Sequence, residues 1–92
     1  MLVADFVESR FTSLHDSYLL YFNQVVNESF KSFDSLLTMI DRLDVECSVL
    51  VELARDCCSD YPDLISACFH LSEDVSDLES DLIKSHYKRF LK

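Results

Sequence analysis

Residues 33–57 read FDSLLTMIDRLDVECSVLVELARDC, and their apolar spacing decides the fold class. Phe33, Leu36, Ile40, Leu43, Cys47, Leu50, Ala54 and Cys57 are separated alternately by three and four positions. That alternation is a heptad seam, with Phe33, Ile40, Cys47 and Ala54 at a, and Leu36, Leu43, Leu50 and Cys57 at d. Leu37 and Val51 widen the stripe beyond a two-chain seam, toward a bundle of three or four helices.

The pattern recurs downstream. Leu64, Cys68, Leu71, Val75, Leu78 and Leu82 step by four and three. Between the two seams lies Ser59-Asp60-Tyr61-Pro62-Asp63. Proline disfavours the α-conformation at Tyr61 and fits a first helical turn, and Asp60 reads as an N-cap. Upstream, Val3, Val7, Phe11, Leu14, Tyr18, Phe22 and Val26 step mostly by fours, which unwinds a supercoil. Tyr18-Leu19-Leu20-Tyr21-Phe22 forms an apolar knot broad enough to be covered on more than one side. Residues 2–30 therefore read as the part that meets other chains at a different angle.

These patterns predict an all-α chain, a coiled-coil or helical-bundle unit spanning 1–92. One long amphipathic helix is expected over 2–58, bent near residue 16 where Asp16 or Ser17 offers a cap. A break follows at 59–61, and a second helix at 61–90. A hairpin folded back on itself and a rod extended along partner chains both fit the two stripes.

Composition narrows the function classes. The 92 residues contain no glycine and one proline. Phosphate-cradling loops, dinucleotide fingerprints and nucleophile elbows need glycine where φ is positive or a backbone must approach closely. The chain reads as a non-enzyme without a cofactor. Acid pairs such as Glu73-Asp74 lie off the seams and read as a solvated face. At 49% hydrophobic the chain is too apolar to stay disordered. Charges interrupt every apolar run, so no membrane span is expected. Residues 1–10 carry Asp5 and Glu8 and no basic stretch typical of a signal peptide, which points to the cytosol or nucleus, with a cytoplasmic location expected. Seventeen acids against eight bases give a net charge of −9 and repel nucleic acid. Half of the bases, Lys84, Lys88, Arg89 and Lys92, sit in the tail and complement the last helix dipole.

The four cysteines, Cys47, Cys57, Cys58 and Cys68, lack the Cys-x2-4-Cys knuckle of a zinc site. Cys47, Cys57 and Cys68 fall on seams and read as small core residues. A metal or redox module built on Cys57, Cys58 and Cys68 is the alternative class. A self-assembling coiled-coil adaptor is another.

Two stretches carry a resemblance. Ser35-Leu36-Leu37-Thr38-Met39-Ile40-Asp41 is similar to a "D-L-L-T-x-V-D" stretch, and Val75-Ser76-Asp77-Leu78-Glu79 to a later "I-D-x-L-E". Both belong to the cappuccino-like small coiled-coil subunits of the biogenesis of lysosome-related organelles complex 1. A sister family named for a Lys-x-Asp-Leu motif is about as similar through Leu78, Leu82, His86 and Phe90, but Ser72-Glu73-Asp74-Val75 has no lysine where that signature would stand, which favours the cappuccino-like reading. The resemblance implies a structural subunit of a hetero-oligomeric complex in endosomal and lysosome-related organelle traffic. Its association with membranes would be peripheral, through the complex.

The stripes themselves imply partners. Phe22, Val26, Phe33, Leu36, Ile40, Leu43, Leu50, Leu71, Val75, Leu78 and Leu82 present more apolar surface than a two-helix chain can cover, and are the expected interface with other coiled-coil subunits. Acids beside the main seam, Asp34, Asp41, Asp44, Glu46 and Glu52, disfavour a parallel homodimer and favour partners richer in bases.

Overall fold

A computed structural model describes residues 3–90. It contains three α-helices: α1 over Val3–Val26, α2 over Phe33–Cys57 and α3 over Pro62–Phe90. No strand occurs among the described residues. The all-α reading and the helical bundle hold. The single helix over 2–58 does not, because the chain turns back between residues 27 and 32. Leu2 lies outside the described residues, and α1 runs through residue 16 without a break.

The turn is built without glycine. Asn27 N–H donates to the Asn23 carbonyl at 3.0 Å, Glu28 N–H to Val25 at 3.3 Å, and Ser29 N–H to Gln24 at 3.0 Å. Glu28 holds φ at 53°. This is a Schellman closure with a glutamate in the left-handed position usually held by glycine. The chain then re-enters a helix at Ser32, an extended N-cap whose hydroxyl accepts from Ser35 N–H at 3.3 Å. Asp34 follows in the first turn and Arg55 sits in the last, both favourable to the α2 dipole.

The second break falls where proline placed it. Cys58 caps α2, its N–H donating to the Ala54 carbonyl at 2.9 Å. Tyr61 rather than Asp60 takes the N-cap position, its carbonyl accepting from Leu64 N–H at 3.1 Å and Ile65 N–H at 3.2 Å. Pro62 opens α3, where its missing N–H costs no helical bond.

Side-chain pairs fix the directions. Phe33 stacks on His86 with ring centroids 3.8 Å apart, and Ser76 Oγ donates to Asp44 Oδ1 at 3.0 Å. Moving forward on α2 thus moves backward on α3, so the two are antiparallel. Phe6 and Arg10 share a groove with Val45 and Val49, while Gln24 lies with Ser35 and Met39, so α1 is antiparallel to α2. α1 and α3 run parallel: Ala4 and Phe11 lie with Leu64 and Ala67, and Val25 with Leu82 and His86. The result is an up-down-up bundle with Cα extents of 51 × 18 × 17 Å. α2 is its middle helix, and α1 and α3 touch each other least.

One core runs the length of the bundle. α2 contributes Leu36, Ile40, Leu43, Cys47, Leu50, Val51 and Ala54, and α3 contributes Cys68, Leu71, Val75, Leu78 and Leu82. These are the two heptad seams, meeting each other as a hairpin. α1 closes them with Val7 and Leu14, both buried. The stripe expected to need a partner chain is covered from within, because the break at 27–32 supplies a third helix.

Candidate interaction surface

The expected interface residues divide into two groups. Leu36, Ile40, Leu43, Leu50, Leu71, Val75, Leu78 and Leu82 are all buried in the chain's own core. Phe33 is half-buried against His86. These nine are corrected from partner contacts to internal packing. Phe22 and Val26 remain exposed, at 41% and 61%.

The difference arises in α1. Its inward column is Ala4, Val7, Phe11, Leu14, Tyr18, Tyr21 and Val25, a regular alternation of three and four. The expected column shares Val7, Phe11, Leu14 and Tyr18 with it and departs at Val3, Phe22 and Val26, which are exposed. The knot at Tyr18–Phe22 makes two neighbouring columns apolar, so sequence alone leaves the choice open. Only a shared inward face of all three helices selects the regular one.

The flank of α1 that turns toward α3 is aromatic and apolar. Phe11, His15, Tyr18 and Phe22 form a ladder with successive ring centroids 5.7, 6.3 and 5.9 Å apart. Leu19 and Val26 extend the same flank, four residues on from His15 and Phe22. Near the helix N-termini, an open groove of about 560 Å³ lies between α1 and α3. Ala4, Phe11, Leu64 and Ala67 give it an apolar floor, and Asp5, Glu8, Asp60 and Asp63 a carboxylate rim. Further along, burial first and then the charges of Asp74, Asp77 and Asp81 of α3 push the Tyr18 phenol above the ordinary tyrosine range. The sequence marks Asp74 as a solvated acid off the seam, and the spacing of Asp74, Asp77 and Asp81 by three and four sets all three on one helical face.

Other apolar exposures lie away from this flank. Phe6, Val45 and Val49 border a groove of about 230 Å³ between α1 and α2. Phe69 is partly covered by Arg55, whose guanidinium carbon sits 5.7 Å from the ring centroid. Lys84 and Lys88 are exposed on α3, whereas the side chain of Arg89 and all of Lys92 lie outside the described residues. No helix among the described residues is long and apolar enough to cross a membrane.

Three of the four cysteines are core residues by position, and Cys57, expected on the seam, is not. Cys47, Cys58 and Cys68 are buried and Cys57 is exposed. Burial, then the charges of Asp44 and Glu46, pushes the Cys47 thiol up to about 12. Burial and the neighbouring Cys58 raise Cys68 as well. A thiol held protonated is a poor nucleophile and a poor metal ligand. Among the described residues no group of three or more His, Cys, Asp or Glu side chains is placed to hold a metal. An aromatic disulfide reagent at mildly alkaline pH should therefore label Cys57 at once and the other three only at the rate of unfolding. Fast labelling of more than one thiol would contradict this core.

A second electrostatic feature lies on the α2–α3 seam. Glu79 has a raised pKa, through burial first, then the charges of Asp41 and Asp44, and a hydrogen bond to Asp41 that favours the protonated form. Its Oε2 is buried without a hydrogen-bond partner among the described residues. Because the folded pKa exceeds the unfolded one, the folded state binds the extra proton. The contribution of Glu79 to stability is present below the ordinary carboxylate range and is lost as pH rises through the raised value. Glu79→Gln should flatten that decline, giving a variant more stable than the parent at neutral pH and little different near pH ~4. Denaturant melts of both proteins across that range test it, and parallel pH profiles would refute it.

With this geometry in view, comparison with known proteins gives no match to any family model, curated protein or solved structure.

Proposed function

We infer that the chain is a non-catalytic structural subunit that joins other helical chains in a hetero-oligomeric assembly. The observation that carries this reading is the outer face of α1. On the flank turned toward α3 this helix leaves Leu19, Phe22 and Val26 more than 40% exposed. Single exposed apolar residues are ordinary, but a helical flank that repeats them over two turns resembles a packing stripe without its mate. The net charge of −9 supports hetero- over homo-association, since copies of the chain repel one another.

The setting is endosomal and lysosome-related organelle traffic, in the cytoplasm. That part rests on the similarity of Ser35–Asp41 and Val75–Glu79 to the cappuccino-like subunits. In the fold those stretches lie on α2 and α3, where Leu36, Ile40, Val75 and Leu78 are core residues. The similarity is thus one of packing register, and the exposed flank of α1 stands outside it. Affinity purification of the tagged chain from its native cells tests both parts. Co-purification of other small helical subunits in fixed proportion supports the assembly, and recovery of the chain alone overturns it. A complex without organelle-traffic components would overturn the setting only.

A further inference from the structure

We propose that the trough between α1 and α3 receives one helix of a partner chain, a basic amphipathic helix that completes a four-helix bundle. The proposal rests on the subunit reading above and names the surface and the chemistry of the mate.

Three observations converge on this trough. First, α1 and α3 run parallel and touch least of the three helix pairs, so the bundle is open along that side. Second, the open side is apolar along α1. Leu19, Phe22 and Val26 are 44%, 41% and 61% exposed and follow the three-four spacing of a packing seam. The aromatic ladder from Phe11 to Phe22 continues the stripe toward the groove floored by Ala4, Leu64 and Ala67. Third, the rim carries one sign of charge. Asp5, Glu8, Asp60 and Asp63 border the groove, and Asp74, Asp77 and Asp81 border the ladder. His15 and His70 are the titratable nitrogens along this stretch, and the first bases on the same α3 face are Lys84 and Lys88, past its acidic end.

Charge complementarity decides the occupant. A second copy of this chain would bring its own acidic rim against this one. A helix with an apolar stripe and lysines or arginines beside it would instead meet carboxylates on the α3 side while its stripe covers Leu19, Phe22 and Val26. Aromatic side chains at the centre of such a contact carry a large share of its energy. Flanking charges set partner choice and salt dependence.

The probe is a synthetic helix of about three heptads with leucine at a and d and lysine at the flanking positions. A second peptide keeps the leucines and carries glutamate at the flanks. Each is titrated against the full chain by fluorescence anisotropy. The lysine peptide should bind, more weakly as salt rises, and the glutamate peptide should not. The pair Phe22→Ser and Val26→Ser should weaken binding by about tenfold or more, as truncation of central contacts does. Replacing Asp74, Asp77 and Asp81 with asparagine should weaken it and flatten its salt dependence. Val45→Ser with Val49→Ser, on the opposite groove, should leave it unchanged. All these side chains lie on the surface, and thermal melts confirm that each variant stays folded. No binding of the lysine peptide, equal binding of both peptides, or indifference to the Phe22 and Val26 pair overturns the proposal. So does a sedimenting homodimer that the same pair converts to monomer. The co-purification test can succeed while this one fails, in which case partners use another face.

Discussion

Replacing Ile40 with alanine should lower stability by about 3 kcal/mol, within the range of about 2–5 kcal/mol for a buried aliphatic side chain cut back to alanine. Ile40 has no exposed surface and sits in the middle helix, where both neighbours confine it. The α2–α3 register set by Phe33 with His86 and Asp44 with Ser76 places it at the level of Leu78 and Leu82, themselves buried. Helices that long cannot collapse locally around three missing carbons, so a cavity remains and its walls lose their contacts. A chain of this size holds roughly 0.05–0.15 kcal/mol per residue in all, so the loss is a large part of the total. At about 4–8 °C per kcal/mol for a small domain, the melting midpoint should fall by about 12–24 °C.

Val26→Ala and Val49→Ala are the controls. Both side chains are more than half exposed, and each change should stay within about 0.5 kcal/mol. Val26 matters most here, because an irregular α1 seam would place it in the same class as Ile40. Urea melts of the isolated chain separate the two cases. Equal losses at Ile40 and Val26 would mean that α1 does not pack through Ala4, Tyr21 and Val25.

What was legible in the sequence follows from where large side chains and proline stand. The seams of α2 and α3 are filled almost wholly by Leu, Ile, Val and Cys at fixed spacing, and Pro62 separates them, so pattern and punctuation agree. α1 violates both conditions. Its inward column includes Ala4 and two tyrosines, which are weaker apolar signals than the outward Leu19, Phe22 and Val26. The interface was half legible for the same reason. Phe22 and Val26 stand out as apolar residues, but which helix lies beside them depends on a chain reversal that no glycine or proline marks. The available signal at that reversal was Ser32 before Phe33-Asp34, an N-cap with an acid in the first turn.

The unmarked reversal leads to the second large effect. Glu28→Gly should raise stability by about 0.5–1 kcal/mol, and the melting midpoint by about 2–8 °C. Glu28 holds a left-handed φ of 53° at the position that closes α1. A side chain with a Cβ pays about 1–2 kcal/mol there, because Cβ crowds the following carbonyl. Glycine removes that strain and returns part of the gain, about 0.5–1 kcal/mol, through the wider freedom of the unfolded chain. The backbone hydrogen bonds of the turn run from the N–H groups of residues 27–29 to the carbonyls of residues 23–25, so glycine keeps them. Glu28→Ala is the needed comparison. It loses the same carboxylate as the glycine variant but keeps the Cβ, so the difference between the two variants isolates the backbone. The glycine variant should therefore melt above both the alanine variant and the parent. Were alanine to match glycine, the gain would belong to removal of one acid from a chain of net charge −9, and the left-handed closure would be wrong. The same residue explains how one glycine-free sequence supports three helices. A local strain of about 1 kcal/mol is accepted at Glu28 because reversing the chain lets Val7 and Leu14 close a core that two helices leave open.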